Sequence, residues 1–332
     1  MLSSSCGWKE VSSMTIGVLT SGGDAPGMNG AIRAVVRAGL SQGWRVIGIE
    51  RGFAGLLNED FREMSSRSVS EIIQRGGTIL YTARSEELMT LGGQAKAAAV
   101  CREQGLDALV VIGGDGSFKG ACALADLGIP VIGIPGTIDL DIACTDYTIG
   151  FDTAANTAME AIDRIRDTSS SHERCSIVEV MGRSAGYIAL YCGVATGAED
   201  ILMPESFDGD EEAIIHSVMN GRKSGKKHHL IINAEGVGHS EALAKKIEAA
   251  TGIESRATIL GYLQRGGSPS VRDRIMATRM GVKAVELIAA GSLNRVVAFK
   301  NDDIVDFEIH EALAMKKNIS DSWLSMLPML KR

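Results

Sequence analysis

The chain has 332 residues, of which 45% are hydrophobic and 23% are charged, and its formal net charge is −7. This length predicts about two domains and a large buried core. The negative charge argues against general binding of nucleic acid, because no global positive field attracts the phosphates. No apolar run approaches the length of a membrane span. From the charge and the absence of such a run, we expect neither nucleic acid nor a membrane as a partner.

The six cysteines are scattered along the chain and form no C-x-x-C pair. This usage is typical of reduced thiols and predicts a cytoplasmic protein. Residues 1–14 are mostly polar and rich in serine, without the apolar segment of a signal peptide. We interpret them as a short disordered leader.

Short apolar runs alternate with stretches of helical spacing along the first half of the chain. Strands are predicted at 16–19, 46–49, 109–112 and 131–134, and helices at 28–40, 94–104 and 118–127. This order predicts an α/β fold in which a mostly parallel sheet carries helices on both faces.

A second group of elements begins at Phe151 and predicts a second α/β lobe. Helices are predicted at 151–167, from Ala185, at 211–219 and at 272–290, and strands at 176–180, 230–233, 296–299 and 304–306. No repeat of 20–50 residues is evident, which excludes a solenoid or a propeller.

Two loops that combine glycine and aspartate follow predicted buried strands, G-G-D-G-S at 113–117 and P-G-T-I-D-L-D at 135–141. Ligands bind at the carboxyl ends of the strands in open α/β sheets. Glycine lets backbone N–H groups approach phosphate, and aspartate binds Mg²⁺ or accepts a proton from a hydroxyl. Together the loops predict phosphoryl transfer.

Each loop also has a purely structural interpretation. Asp115 could cap the helix that follows it. Strand-like alternation would put Asp139 and Asp141 on one side of an extended segment, where one carboxylate could act as a base while the other orients metal or substrate. The structural alternative is that both are solvated acids of a turn.

A glycine-rich segment, T-S-G-G-D-A-P-G-M-N-G at 20–30, lies between the first strand and the first helix. It fits neither G-x-x-x-x-G-K-[ST] nor G-x-G-x-x-G. Its backbone N–H groups and the helix dipole could still bind phosphate. The alternative is a glycine-rich turn without a ligand.

Several arginines lie beside glycine, serine or threonine in predicted loops or at element ends, namely Arg84, Arg174, Arg183, Arg256 and Arg265. The guanidinium group suits bidentate contacts with phosphate, although a single arginine is more often a solvated surface charge. Arg183 and Arg265 are the stronger candidates, because the first follows a strand and the second lies in a Gly-Gly turn.

Seven segments, taken in order, resemble the bacterial 6-phosphofructokinases. They are G-V-L-T-S-G-G-D-A-P-G-M-N at 17–29, G-G-D-G-S at 113–117, P-G-T-I-D at 135–139, T-D-Y-T-I-G-F at 145–151, D-T-S-S-S-H at 167–172, V-E-V-M-G-R at 178–183 and Q-R-G-G-S-P at 264–269. The resemblance implies the transfer of phosphate from ATP to the 1-hydroxyl of fructose 6-phosphate, a glycolytic step, with Mg²⁺ as cofactor.

The resemblance also implies two Rossmann-like lobes with the active site in the cleft between them. Residues 15–150 and 264–314 would form the larger, ATP-binding lobe. Residues 151–263 and 315–332 would form the smaller lobe, which binds the sugar phosphate.

By this resemblance Asp139 would be the general base, assisted by Thr137 and Arg183, and Asp115 would bind the metal. Contacts with the nucleotide would come from Gly23, Arg84, Ser85, Asp115, Gly116, Ser117 and Gly120. Contacts with the sugar phosphate would come from Thr137, Asp139, Arg174, Met181, Gly182, Arg183, Glu235, Arg256, Tyr262 and Arg265. Arg174 and Arg256 would reach in from a neighbouring subunit of a homotetramer.

An effector site for ADP or phosphoenolpyruvate is implied between subunits, at Arg33, Arg37, Arg166, Gly197, Glu199, Lys226 and His228. Asp60 and Ser224 stand there in place of basic residues that are usual in the family. Asp60 would repel an anion, so we predict weakened or altered allosteric control.

Other departures concern the substrates. Leu140 replaces a usual Asn, Tyr262 replaces a usual His, and Glu50 and Met89 replace a usual Tyr and Arg. Relatives that use pyrophosphate carry Asp at the position of Gly116 and Lys at that of Gly136, so these two glycines predict ATP as the donor.

Two alternatives remain at this stage. Leu140 and Tyr262 also suit a catalytically weak paralogue that binds ligands and regulates an active partner. G-G-D-G occurs in NAD kinases and lipid kinases as well, but those proteins lack the Q-R-G-G-S-P and M-G-R segments.

Overall fold

A computed structural model of the protein describes residues 14–330, so the predicted leader lies outside the described residues apart from Met14. The strands are β1 Thr15–Thr20, β2 Arg45–Ile49, β3 Phe61–Glu63, β4 Ala108–Gly113, β5 Val131–Thr137, β6 Ile149–Gly150, β7 Cys175–Val180, β8 Asp200–Leu202, β9 His229–Ala234, β10 Ser255–Ile259, β11 Arg295–Lys300 and β12 Asp303–Glu308.

The helices are α1 Met28–Ser41, α2 Gly52–Leu57, α3 Leu91–Glu103, α4 Asp115–Asp126, α5 Phe151–His172, α6 Tyr187–Thr196, α7 Glu211–Lys223, α8 Ser240–Thr251, α9 Val271–Ala289, α10 Ile309–Ala314 and α11 Asp321–Leu330. Two short 3₁₀-helices cover Glu87–Met89 and Gly261–Arg265. Across residues 14–330, no helix combines the length and the apolar composition that crossing a bilayer requires.

The larger sheet has the strand order β12-β11-β5-β4-β1-β2-β3, with β6 paired to β5. Its pairs are parallel except at the two edges, where β3 and β12 run antiparallel to their neighbours. The central strands β4 and β5 are almost continuously apolar and buried, as expected for parallel strands covered on both faces. The predicted α/β class is confirmed.

The smaller sheet contains four parallel strands in the order β10-β7-β9-β8. One apolar cluster includes Ile16 of β1 together with Val178 of β7, so the core continues from one sheet to the other. The two sheets are therefore packed as one body rather than joined by a flexible linker.

The chain returns to the larger sheet after β10. There α9 packs against α1, and β11 pairs with β5. In α11, the Trp323 ring lies 5.4 Å from that of Tyr191 on α6. The domain boundaries given above stay a prediction.

Candidate active site

The carboxyl ends of β1, β4 and β5 meet at one edge of the larger sheet, because these strands are direct neighbours. The chain leaves β1 toward β2 on one side and places β4 on the other, so this edge contains the topological switch point where α/β sheets bind ligands. The loops that follow these strands, at 20–30, 113–117 and 135–141, surround a cavity of about 850 Å³. Of the predicted site residues, the cavity is lined by Gly23, Arg84, Ser85, Asp115, Gly116, Ser117, Gly120, Thr137, Asp139, Arg183 and Arg265.

Asp115 is the first residue of α4 and points its carboxylate at the cavity. Gly114 is the N-cap, and no side chain caps the helix, so the capping role considered for Asp115 is not observed. The carboxylate instead lies 2.7 Å from the ammonium group of Lys119, one turn further along α4. The N-terminus of α4 also offers N–H groups and a positive dipole end, which favour a phosphate.

Asp139 and Asp141 both line the cavity, but not from an extended segment. Leu140, between them, has a φ of 56°, in the left-handed region that leucine rarely adopts. The expected strand-like alternation is therefore wrong, and a bend aims both carboxylates at the same space. The backbone N–H of Asp139 donates to Thr137 Oγ1 over 3.2 Å, which ties the bend to the end of β5.

The carboxylates of this bend are poorly solvated. Burial raises the pKa of Asp139 to about 6, the charge of Asp141 adds to the effect, and Thr137 and Arg265 oppose it. Burial also raises the pKa of Asp141, with a further contribution from Asp115. A carboxylate with a pKa of about 6 is still ionised at neutral pH and lies in the range suited to a general base.

Lys317 supports the bend from the segment between α10 and α11. Its ammonium group donates to the carbonyl oxygens of Leu140, at 2.7 Å, and Thr145, at 2.8 Å. Burial lowers its pKa to about 8. Lys317 was not predicted from the sequence, since nothing in the local pattern separates Lys317 from Lys316.

The turn after β7 brings Arg183 to the cavity. Arg183 has a φ of 58°, and the Glu235 carboxylate accepts hydrogen bonds from the N–H groups of Gly182 and Arg183. The N–H of Met181 donates to the buried Gln264 side chain over 2.8 Å. Met181, Gly182 and Glu235 thus shape the turn in this structure but do not line the cavity.

Arg265 enters from the 3₁₀-helix Gly261–Arg265 and packs directly on Gly23. A Cβ atom on Gly23 would lie 2.5 Å from Nη1 of Arg265, so any other residue there would displace the guanidinium from this position. Tyr262 is 79% exposed and lies outside the cavity, with its ring 5.6 Å from the guanidinium carbon of Arg265.

One end of the cavity is apolar and was not predicted. Phe53 and Leu88 line it, and a Cβ atom on Gly120 would lie 2.9 Å from the Phe53 ring and 3.0 Å from the Leu88 side chain. An apolar residue in the sequence gives no sign of whether it faces a core or a cavity, which explains the omission. Met89 lines the same end, whereas Glu50 forms an ion pair with Arg62 at 3.4 Å.

Arg174 and Arg256 do not line the cavity of their own chain. Both pair with Glu254, at 2.7 Å and 2.8 Å. Hydrogen bonds to the two arginines lower the pKa of that glutamate.

The residues predicted for an effector site fall into separate places within one chain. Lys226 and His228 line a small depression that also includes Arg174. Lys226 pairs with Glu199 at 3.2 Å, and the guanidinium of Arg166 donates to the carbonyl of Thr196, next to Gly197. Arg33 and Arg37 lie on α1 and do not line this depression.

The sequence model of the phosphofructokinase family, described as "Phosphofructokinase", matches residues 15–288. The chain belongs to the phosphofructokinase family. It is 56% identical over 318 residues to an ATP-dependent 6-phosphofructokinase of Clostridium botulinum (strain Loch Maree / Type A3), covering 96% of this chain and 99% of the relative. It is 58% identical over 307 residues to the protein of the same name from Clostridium novyi (strain NT), covering 92% and 96%.

Solved phosphofructokinases have the same fold. The structure from Saccharomyces cerevisiae superposes with a TM-score of 0.82 at 33% identity over 96% of this chain, which spans about half, 47%, of the yeast chain. A pyrophosphate-dependent phosphofructokinase from Marinobacter aquaeolei superposes with a TM-score of 0.84 at 22% identity, over 96% of this chain and 91% of that chain. At that identity, the second likeness concerns the fold alone.

Proposed function

We propose that this member of the phosphofructokinase family transfers the terminal phosphoryl group of ATP to the 1-hydroxyl of fructose 6-phosphate, giving fructose 1,6-bisphosphate and ADP. The observation that carries the proposal is one cavity at the sheet edge lined by Asp115, Asp139, Arg183 and Arg265. The Clostridium relatives named ATP-dependent 6-phosphofructokinase support it over nearly their full length. No observation supports the alternative of a regulatory paralogue.

Asp139 serves as the general base in this proposal. With a pKa of about 6, it is ionised at pH 7 and accepts the proton of the sugar hydroxyl as that oxygen attacks phosphorus. A positioned base contributes about 10²–10⁴-fold. Arg183 and Arg265 bring positive charge to the cavity, and phosphoryl transfer depends mainly on such positioning and charge neutralisation.

The carboxylates at the cavity fit a hard divalent cation, for which we propose Mg²⁺ at Asp115. Oxygen ligands are those that Mg²⁺ prefers. Asp115 lies close enough to Asp141 to raise its pKa, so a cation between β4 and β5 would relieve this repulsion. Mg²⁺ bound with the nucleotide would neutralise charge on its phosphates. Lys119, already paired with Asp115, supplies a second positive charge at the same helix end.

The shape of the cavity supports ATP as the donor rather than pyrophosphate. Phe53 and Leu88 offer an apolar surface for a base, which pyrophosphate lacks. A Cβ atom on Gly116 would meet nothing within 4 Å, so this position leaves room for a nucleotide. At Gly136 a Cβ atom would lie 3.0 Å from Ile112 and 3.2 Å from Met28, which disfavours the lysine found in relatives that use pyrophosphate.

We further propose two lobes with the boundaries given above and a homotetramer with shared sites. Arg174 and Arg256 lie outside the cavity of their own chain, and in this proposal they exchange part of their pairing with Glu254 for the sugar phosphate of a neighbour. The residues predicted for the effector site lie in separate places within one chain. This suits a site for ADP or phosphoenolpyruvate that is completed between subunits. Five cysteines among residues 14–330 are unpaired, which supports a cytoplasmic location.

A coupled assay tests the proposed reaction. The purified chain is supplied with ATP or pyrophosphate and with fructose 6-phosphate or other hexose phosphates, and ADP and sugar bisphosphate are measured. We expect turnover with ATP and fructose 6-phosphate. Efficient turnover with pyrophosphate and none with ATP would overturn the donor. Ligand binding without turnover would favour the regulatory paralogue.

A further inference from the structure

Three side chains that commonly bind metals meet where α4 ends and α10 begins. Cys122 and Asp126 are one turn apart on α4 and so share a face of the helix. His310 is the second residue of α10. The Cys122 sulfur lies 3.3 Å from Nδ1 and 3.9 Å from Nε2 of His310, and that Nε2 lies 3.1 Å from Oδ1 of Asp126. One ligand atom from each residue falls within 4.8 Å of the others.

The separations from His310 Nε2 are similar in size to those within a zinc coordination sphere. Zinc binds sulfur at about 2.3 Å, imidazole nitrogen at about 2.0–2.1 Å and carboxylate oxygen at about 2.0–2.2 Å, in tetrahedral geometry. Such a site separates sulfur from nitrogen by about 3.6 Å and nitrogen from oxygen by about 3.4 Å. The 3.9 Å and 3.1 Å separations from Nε2 lie close to these values, but the sulfur is nearer to Nδ1, at 3.3 Å, so a metal bound through Nε2 requires the exposed His310 ring to turn until Nε2 faces the sulfur.

The local charge also favours a cation. Asp126 and Glu308 place negative charge close to the Cys122 sulfur. A divalent cation would offset both carboxylates, and the thiol would release its proton to solvent as the metal–sulfur bond forms.

We propose that Cys122, Asp126 and His310 form a binding site for Zn²⁺, with solvent at the fourth position. The sulfur and imidazole ligands select a thiophilic metal and not Mg²⁺. The exposed side chains of Asp126 and His310 give an ion access from solvent. None of the three residues lines the catalytic cavity, so the site is separate from the one proposed above. An ion bound at Cys122, Asp126 and His310 would link α10 to α4, the helix that begins at Asp115.

Cobalt substitution tests the site in the whole purified chain. Co²⁺ is titrated with excess Mg²⁺ present, and the thiolate-to-cobalt charge-transfer band is followed by absorption. Carboxylates of the catalytic cavity cannot produce this band because they offer no sulfur. We expect one equivalent per chain, displacement by Zn²⁺, and a higher Tm with Zn²⁺ bound.

Variants locate the ligands. Cys122→Ser removes the sulfur at nearly constant volume, and His310→Gln changes an exposed side chain, so the test survives if the first variant folds poorly. We expect the band to disappear in Cys122→Ser and the affinity to fall at least tenfold in His310→Gln. Cys6→Ser and the exposed His216→Gln are matched controls and should bind normally. Absence of the band, its persistence in Cys122→Ser, unchanged affinity in His310→Gln, or its loss in Cys6→Ser would overturn the proposal.

Discussion

The ammonium group of Lys317 donates a 2.7 Å hydrogen bond to the carbonyl oxygen of Leu140, the residue directly after Asp139. Leu140 is buried in a left-handed conformation that costs a leucine about 1–2 kcal/mol. Contacts of its side chain with the core and of its carbonyl with Lys317 offset that cost. The orientation of Asp139 thus depends on a residue 178 positions away from it in the sequence.

Replacing Lys317 with methionine should loosen this bend while keeping most of the buried volume. The carbonyls of Leu140 and Thr145 lose a donor, so we expect the free energy of unfolding to fall by about 1–3 kcal/mol. We expect kcat to fall by about ten- to a hundredfold, because small misplacements of catalytic groups are costly. Chemical denaturation and steady-state kinetics measure both. Lys316→Met, at an exposed neighbour, is the control, and equal effects of the two variants would contradict the role of Lys317.

Replacing Asp139 with asparagine should stabilise the protein at neutral pH. The pKa of Asp139 is about 6 in the folded chain against an ordinary value of 3.8, so between these values the folded state holds a proton that the unfolded state has lost. Stability therefore falls as pH rises through this window, and asparagine removes the loss. We expect a gain of about 1–2 kcal/mol at pH 7, reduced by partial exposure of the side chain, and no gain near pH 4.

Unfolding followed by circular dichroism at several pH values measures this difference. A variant that matches the parent at every pH, or one that is less stable at pH 7, would show that Asp139 is not a destabilising buried charge.

Replacing Gly116 with aspartate should weaken ATP binding without disturbing the fold. The cavity has space for the new side chain, but its carboxylate would repel the phosphates of the nucleotide. We expect KM for ATP to rise at least about tenfold, which corresponds to about 1.4 kcal/mol. Gly92→Asp adds the same charge on the exposed surface of α3 and should change little. An unchanged KM for ATP in Gly116→Asp would show that this position is not part of the nucleotide site.

Allosteric control should be weak or altered in this chain. Asp60 brings a negative charge to the proposed effector region, and its ion pair with Arg51, at 2.7 Å, offsets only part of it. Kinetics with ADP and with phosphoenolpyruvate measure the response, with Arg37→Ala as the variant. Strong activation by ADP and strong inhibition by phosphoenolpyruvate, both abolished in Arg37→Ala, would show that this prediction is wrong.

The sequence predicted the elements that carry the loops of the cavity. β1, β4 and β5 are apolar runs that end in glycine- and aspartate-rich loops, so both their burial and their ligand-binding ends could be inferred. The short strands β3 and β8 and the half-exposed β10 were missed, because few apolar positions mark them.

Details of the site that depend on long-range contacts could not be predicted. Leucine is a poor candidate for a left-handed bend, so the turn at Leu140 had no local signal. Glu235 was expected at the sugar phosphate, but its contacts with the turn at Gly182 join residues 53 positions apart. The apolar end at Phe53 forms only when α2 packs near Gly120 of α4.

The turnover number of Asp139→Ala, with saturating ATP and fructose 6-phosphate, tests the central claim most directly. Calorimetric titration with ATP first establishes that the variant still binds the nucleotide. If Asp139 accepts the proton of the sugar hydroxyl, kcat should fall by at least about 10²–10⁴-fold while ATP affinity is kept. Near-normal turnover in this variant would contradict the account.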